Sequence, residues 1–312
     1  MTAAIRRPPS ALVGLVGEGV VPSLTPPMHE LEGGRHGIHY VYRTIDLAAG
    51  EGTEASVDAI LASARRLGFT GLNITHPVKQ TIVPLLDELA PSAQRVGAVN
   101  TVVFDGDRTV GHNTDVTGFA AAFDEALPDA AEGLIILIGA GGAGAAVCGA
   151  LTDRTVERLF VVDVDMDRAR ALAESTAGRA PFAVGAATPD DLPALLGEAA
   201  GVVNATPMGM AAHPGMPIDV DLLGTGTFVA DIVYRPVETA LLRAARLRGL
   251  RVMSGLGMAM HQAADAFEIF TGEAADRAAM LDDLRALVAA EAITDPPPAP
   301  HSPRGTLRGE HP

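Results

Sequence analysis

From residue 11 onward, short apolar runs alternate with longer stretches in which apolar residues recur every three or four positions. Residues 12–16, 38–43, 71–75 and 100–104 read as strands. Between them Val57, Ile60, Leu61, Ala64 and Leu67 fall on one face of a helix spanning residues 54–67. A second alternating section begins near Asn113. Residues 133–138 are a wholly apolar strand ending in a glycine-rich turn, and further strands follow at 159–163, 180–184, 201–204 and 228–232, with helical segments between. Such alternation predicts an α/β protein with a parallel, doubly wound sheet in its second section. The last periodic stretches, 258–270 and 274–290, are helical. Beyond them Pro296, Pro297, Pro298 and Pro300 open a segment without periodicity, so residues 295–312 are expected to be a disordered tail. No internal repeat is present.

At 312 residues and 48% hydrophobic content the chain can build two cores. Its net charge of −15 repels nucleic acid and anionic membranes alike, so neither is expected as a partner. An acidic substrate would need a local pocket of donors. The apolar stretch after Arg6 and Arg7 is broken by Gly14 and is too short for a signal-peptide core or a spanning helix. One cysteine, Cys148, leaves no intramolecular disulfide, and the nine histidines are scattered, so no metal site is expected and the cytoplasm is the expected compartment.

The basic residues change the picture most. Of 23 Lys plus Arg, only Lys79 is a lysine. A composition biased toward Ala, Gly and Arg replaces surface lysines easily. A lone survivor suggests a task that arginine cannot perform, and the main chemical difference is that lysine can release its proton. Asparagine is almost as rare, at Asn73, Asn100, Asn113 and Asn204, and glutamine occurs only at Gln80, Gln94 and Gln262.

The turn Gly139-Ala-Gly141-Gly142-Ala143-Gly144 follows an apolar strand and opens an Ala-rich helix, the context in which a glycine pattern becomes a dinucleotide-binding fingerprint. The next strand ends at Asp163, with Asp165 just beyond. An acid there accepts hydrogen bonds from an adenosine ribose and repels a 2′-phosphate, which favours NAD over NADP. Two alternatives stay open: Asp163 or Asp165 could only cap the next helix, and Arg168 and Arg170 could take a phosphate if the loop bent back.

The rare amides fall in loops at strand ends, where α/β folds bind ligands. These are Asn73-Ile-Thr75-His-Pro-Val-Lys79, Gly97-Ala-Val-Asn100-Thr, Gly111-His-Asn113-Thr-Asp115 and Asn204-Ala-Thr206-Pro207-Met208-Gly, with Gln262 on a late helix. Amides, hydroxyls, one lysine and one aspartate suit a small polyol. Any one asparagine could simply mark a turn, but turns account poorly for the whole set.

With Ser23-Leu-Thr25-Pro26, Asn113-Thr-Asp115-Val-Thr-Gly118, Asp231-Ile-Val-Tyr234-Arg-Pro236 and the stretch from Met258 to Phe267, these segments run in family order over residues 12–285 and resemble the shikimate dehydrogenase family, especially its NAD-using quinate/shikimate branch. The resemblance implies a substrate domain at 11–112, a Rossmann-type nucleotide domain at 113–253, and C-terminal helices at 254–291 that return to the substrate domain. It implies a hydride exchanged between a ring hydroxyl of a polyhydroxy cyclic carboxylate and NAD, NADP being possible, with Lys79 and Asp115 as the acid/base pair. It places Ser23 and Thr25 on the carboxylate. Asn73, Thr75, Asn100 and Gln262 go to ring hydroxyls or the carboxylate, and Tyr234 lies near substrate and nicotinamide. Gly139, Gly141, Gly142, Ala143, Gly144, Asp163, Asn204, Thr206, Pro207, Met208, Gly255 and Met258 are implied at the cofactor. Thr25, where most biosynthetic members carry serine, is more usual in the quinate-using branch. The competing expectations are an NADP-dependent biosynthetic shikimate dehydrogenase, an aminoshikimate-type relative and, remotely, a non-catalytic ligand sensor.

Overall fold

The computed structural model describes residues 9–48, 50–128 and 133–294, which form two six-stranded sheets with helices around and between them. The expected tail at 295–312 lies outside the described residues.

The first sheet contains β1 (Ser10–Gly17), β2 (His39–Asp46), β3 (Gly71–Ile74), β4 (Glu88–Leu89), β5 (Thr101–Asp105) and β6 (Arg108–His112). Their order is β2-β1-β3-β5-β6-β4. β1 is parallel to β2 and β3, whereas β5 is antiparallel to β3 and β6. Helices α1 (Thr25–Arg35), α2 (Glu54–Leu67) and α3 (Pro91–Val96) accompany it. α2 shows why the periodic reading succeeds. The Thr53 side chain accepts from Ser56 N–H to start the helix, Gly68 at φ +78° ends it, and Val57, Leu61 and Ala64 bury the apolar face.

The second sheet contains β7 (Leu134–Ile138), β8 (Arg158–Val162), β9 (Ala183–Ala187), β10 (Ala199–Asn204), β11 (Phe228–Asp231) and β12 (Arg251–Ser254). All of its pairings are parallel, in the order β12-β11-β10-β7-β8-β9. That is the doubly wound arrangement, and the strand order reverses between β7 and β10, where such sheets open a crevice. Helices α5 (Gly142–Leu151), α6 (Met166–Ala177), α7 (Leu192–Leu196) and α8 (Ala240–Leu247) complete the layers. β7 is buried along its whole length, as a central strand covered on both faces must be.

Two helices join the halves, α4 (Thr114–Ala126) and α9 (Gly255–Thr271), and they approach closely at Gly118. A Cβ there would stand 2.7 Å from Gln262 N and 3.0 Å from Met258 O, so only glycine permits this crossing. The final helix α10 (Arg277–Thr294) shares a core with α1 and α9 through Leu24, Met28, Met260, Met280 and Leu284. The C-terminal helices therefore pack on the side of the first sheet.

The structure departs from the expected elements at the sheet margins. β9 lies three residues later than expected, and β4, β6 and β12 were not expected. Among the described residues, no helix is long and apolar enough to cross a membrane.

Candidate active site

A cleft of about 560 Å³ opens between the two sheets, at the carboxyl ends of β1, β3, β10 and β11. On its first-sheet side, Val78 and Ile82 are fully buried and anchor the turn after β3. That anchoring delivers Lys79, which is half-buried, into the cleft. Opposite it, Asn113 caps α4 by accepting from Val116 N–H at 3.2 Å, which places Asp115 in the first turn, where the helix dipole favours a carboxylate. Lys79 Nζ donates to Asp115 Oδ2 at 2.6 Å, a charge-assisted bond within the cleft wall.

Behind this pair runs a buried polar network. Tyr42 OH donates to Asn73 Oδ1 at 2.6 Å, and Asn73 Nδ2 donates to Thr101 Oγ1 at 2.9 Å and to the Asn100 carbonyl at 3.3 Å. Thr101 Oγ1 donates to Asn100 Oδ1 at 3.0 Å, and Thr114 N–H donates to the same oxygen at 2.7 Å. Asn73, Asn100, Thr101 and Thr114 are all buried, so each polar atom needs a partner within the protein or from a ligand. Burial holds the Tyr42 phenol well above its ordinary pKa, so it stays protonated and remains a donor. Ser23, Thr25, Thr75 and Gln262 also line the cleft. Ser23 Oγ accepts from Thr25 N–H at 3.3 Å, tightening the loop that leads into α1.

Beside the other wall lies the glycine turn, which enters the cleft lining at Ala143. Gly139 takes φ +104°, and a Cβ on Gly144 would stand 2.0 Å from Gly139 O. α5 starts at Gly141 with no side-chain cap, and a Cβ at Gly141 would meet nothing within 4 Å. Open space in front of unpaired N–H groups fits a dinucleotide pyrophosphate. Gly142 faces Lys79, whose Cδ would be 3.6 Å from a Cβ there, so this turn adjoins the acid/base pair. Ala143, Thr206, Pro207, Tyr234, Gly255 and Met258 all line the same cleft. Burial pushes the Tyr234 hydroxyl up from its ordinary pKa.

Three of the residues expected at the cofactor have partners within the protein or lie outside the cleft lining. Asn204 is fully buried and does not line the cleft. Its amide donates to Met208 O and Asp231 Oδ1, and its oxygen accepts from Thr206 N–H and Oγ1, so it shapes the loop from beneath. Burial also raises the pKa of the Asp231 carboxyl, against hydrogen bonds from Thr239, Val233 N–H and Asn204. Met208 is exposed and outside the cleft lining. Asp163 stands at the end of β8, where Oδ2 accepts from Ala140 N–H at 2.7 Å and Oδ1 from Asp165 N–H at 2.9 Å. It braces the glycine turn. Asp165 caps α6, accepting from Asp167 and Arg168 N–H.

Sequence reasoning did not single out Tyr42, Thr101, Thr114 or Arg235. Arg235 lines the cleft and donates to Pro22 O at 2.8 Å and Glu291 Oε1 at 3.2 Å, joining the loops after β11 and β1. Tyr42 had one available signal, being one of only three tyrosines in the chain.

Comparison with known proteins agrees with this architecture. Residues 15–102 match the shikimate dehydrogenase substrate binding domain, and residues 255–285 match the shikimate 5'-dehydrogenase C-terminal domain. The chain is 53% identical over 289 residues to the shikimate dehydrogenase (NADP(+)) of Pseudarthrobacter chlorophenolicus, covering 92% of this chain and 99% of that protein. It is 49% identical over 267 residues to the quinate/shikimate dehydrogenase (NAD(+)) of Corynebacterium efficiens, covering 84% and 93%. The structure of quinate dehydrogenase from Corynebacterium glutamicum in complex with NAD superposes with a TM-score of 0.83 at 46% identity, over 89% of this chain and 99% of that one. The expected family is therefore found, but the expected nearness to its NAD branch is not, since a relative named for NADP stands slightly ahead. The chain belongs to the shikimate dehydrogenase family of NAD(P)-dependent oxidoreductases acting on CH–OH groups.

Proposed function

We propose that the protein interconverts a ring hydroxyl and a ketone on shikimate, and on quinate, with Lys79 moving the proton. The observation that carries this reading is the 2.6 Å Lys79–Asp115 contact in the wall of a cleft that the glycine turn meets at Ala143, with Gly142 beside Lys79. The dinucleotide would rest on Gly139, Gly141, Gly142, Ala143 and Gly144, and when bound it supplies the hydride acceptor or donor. In the reducing direction the Lys79 ammonium gives its proton to the ketone oxygen; in the oxidising direction the same nitrogen receives the hydroxyl proton. Asp115 holds Nζ in place and offsets its charge. Ser23 and Thr25 orient the carboxylate, while Asn73, Thr75, Asn100 and Gln262 orient the ring. The pocket is a small one between two domains, as suits a ligand that must be held with one carbon facing the cofactor.

For the cofactor, local charge favours NAD. Asp163 ends β8, and the next residue, Val164, is 89% exposed and offers no charge to a 2′-phosphate. Arg168 lies 3.4 Å from Asp165 and Arg170 lies 3.6 Å from Asp167, so each is already beside an acid. The opposing reading, NADP, has the support of the 53% identical relative's name. Steady-state rates with shikimate and quinate against NAD and NADP test the whole proposal. The expected result is turnover of at least one acid with a higher kcat/KM for NAD. No turnover with any of the four pairs would refute the function, and a preference for NADP would refute the cofactor assignment alone.

A further inference from the structure

The buried network behind Asn73 and Asn100 has a fixed direction, and that direction determines what the two amides can offer a ligand. A backbone N–H only donates. Thr114 N–H points at one atom of the Asn100 amide at 2.7 Å, so that atom is the oxygen, and the remaining atom is the nitrogen, which donates to Thr114 Oγ1 at 2.9 Å. Thr101 spends its one hydroxyl proton on the same Asn100 oxygen. Thr101 Oγ1 must therefore accept from Asn73, which puts Asn73 Nδ2 against it at 2.9 Å. The Asn100 carbonyl, which can only accept, lies 3.3 Å from the same Nδ2, a longer contact that agrees with this orientation. Asn73 Oδ1 then faces Tyr42, whose phenol donates at 2.6 Å.

The remaining capacity follows by counting. An amide nitrogen carries two protons and a carbonyl oxygen two lone pairs. Both protons of Asn73 Nδ2 are engaged, whereas one lone pair of its oxygen is left. Asn100 Oδ1 is saturated, whereas one proton of its nitrogen is left. Both side chains line the cleft. The cleft therefore presents an acceptor from Asn73 next to a donor from Asn100.

We propose that Tyr42 and Thr101 are positioning residues that, together with Thr114 N–H and the Asn100 carbonyl, hold this polarity, so that the cleft takes a ring hydroxyl at the position facing Asn73 and Asn100 and turns away an ammonium there. This rests on the proposed function and deepens it. A hydroxyl donates to Asn73 and accepts from Asn100, satisfying both. An ammonium has protons but no lone pair, so it leaves the Asn100 N–H opposed to another donor, and a buried donor without an acceptor is costly. A neutral amine regains a lone pair and escapes the penalty. The account thus argues against an amino-substituted ring as the natural substrate.

The test is calorimetric binding of shikimate and of its analogue with ammonium in place of that hydroxyl, to the wild type, Tyr42→Phe and Thr101→Val, with the reduced cofactor present so that no turnover occurs, and across a pH series. Wild type should bind the hydroxyl compound about 10–100-fold more tightly at neutral pH, the scale of one unpaired buried group. That ratio should narrow as pH rises through the pKa of the amine. Tyr42→Phe and Thr101→Val should each reduce the ratio several-fold while leaving cofactor affinity unchanged, which general loosening of the fold would not do. Equal binding of the two compounds by wild type would overturn the proposal, as would a ratio independent of pH. Discrimination that persists unchanged in both variants would overturn the positioning role. Failure to bind shikimate at all would overturn the proposed function and this inference with it.

Discussion

The two walls of the cleft are made from different parts of the chain. The first-sheet wall works with side chains: Lys79, Asp115, Asn73 and Asn100 are set by caps, buried anchors and a directional hydrogen-bond network. The glycine turn beside the second-sheet wall works with backbone: Gly139 and Gly144 let the turn pack tightly on the strand ends, and Gly141 leaves open space before the start of α5. The difference has a chemical reason. A wall that moves a proton and distinguishes hydroxyls needs groups of particular acidity and polarity. A wall that holds an invariant pyrophosphate needs only N–H groups and room. Substitutions on the first wall should therefore change rate and specificity in a fold that stays intact. On the second wall they should change cofactor affinity or the fold itself.

The largest expected effect is at Lys79. Lys79→Ala should lower kcat by about 10²–10⁴-fold with little change in cofactor KM, the usual cost of losing an acid/base group. Lys79→Arg should not restore it, because arginine keeps its proton; wild-type turnover by that variant would remove the acid/base role.

Gly144→Ala tests the backbone wall. A Cβ placed 2.0 Å from Gly139 O forces the turn away from the strand. Overpacking of this kind costs about 1–3 kcal/mol, and it should appear as a lower denaturation midpoint together with weaker cofactor binding. Unchanged stability and affinity would mean that the turn is not a rigid cradle.

At Asp163 the two effects combine. Asp163→Ser removes the charge at the end of β8 that the proposed function sets against a 2′-phosphate, and the ratio of kcat/KM for NAD over NADP should fall by about 1–3 kcal/mol. Because the carboxylate also accepts from Ala140 N–H, affinity for both cofactors should fall somewhat as well. A ratio that stays level would move selectivity off this residue.

The smallest effect is expected at Thr25. Threonine holds its hydroxyl in fewer rotamers than serine and adds a methyl to the carboxylate end. Thr25→Ser should shift relative kcat/KM from quinate toward shikimate by about 1 kcal/mol, the low end for one methyl in a pocket. A ratio that stays level or moves toward quinate would leave Thr25 without a role in substrate choice.

How much of this was legible in the sequence depended on the kind of signal. α2 was readable to the residue because its apolar stripe, its Thr53 cap and its Gly68 terminus agree. β9 was displaced because Ala-Val-Gly-Ala-Ala carries little hydrophobic contrast and only its last residue is buried. β6 and β12 begin at exposed arginines and are short, so periodicity had little to register. Lys79 and Asp115 were legible because their residue types are chemically scarce or motif-bound. Asn204 shows the limit. Its motif marks a strand end at the cleft, but the motif does not say whether the amide faces a ligand or Asp231 beneath it. Tyr42 lay outside every motif and Thr101 stood in one without a role, because a strand threonine or tyrosine ordinarily needs no function, and their part emerges only once the direction of each hydrogen bond is traced.

The central claim, that Lys79 moves the proton during hydride transfer from a substrate carbinol carbon, is tested most directly by isotope transfer. Shikimate deuterated at the carbon being oxidised is mixed with the enzyme and oxidised cofactor, and the label is followed by mass spectrometry in single turnovers of wild type and Lys79→Ala. The account predicts that deuterium appears in the reduced nicotinamide of the wild type without loss to solvent. It also predicts that the same transfer in Lys79→Ala is slower by about 10²–10⁴-fold. Label released to water, or transfer in Lys79→Ala at the wild-type rate, would contradict it.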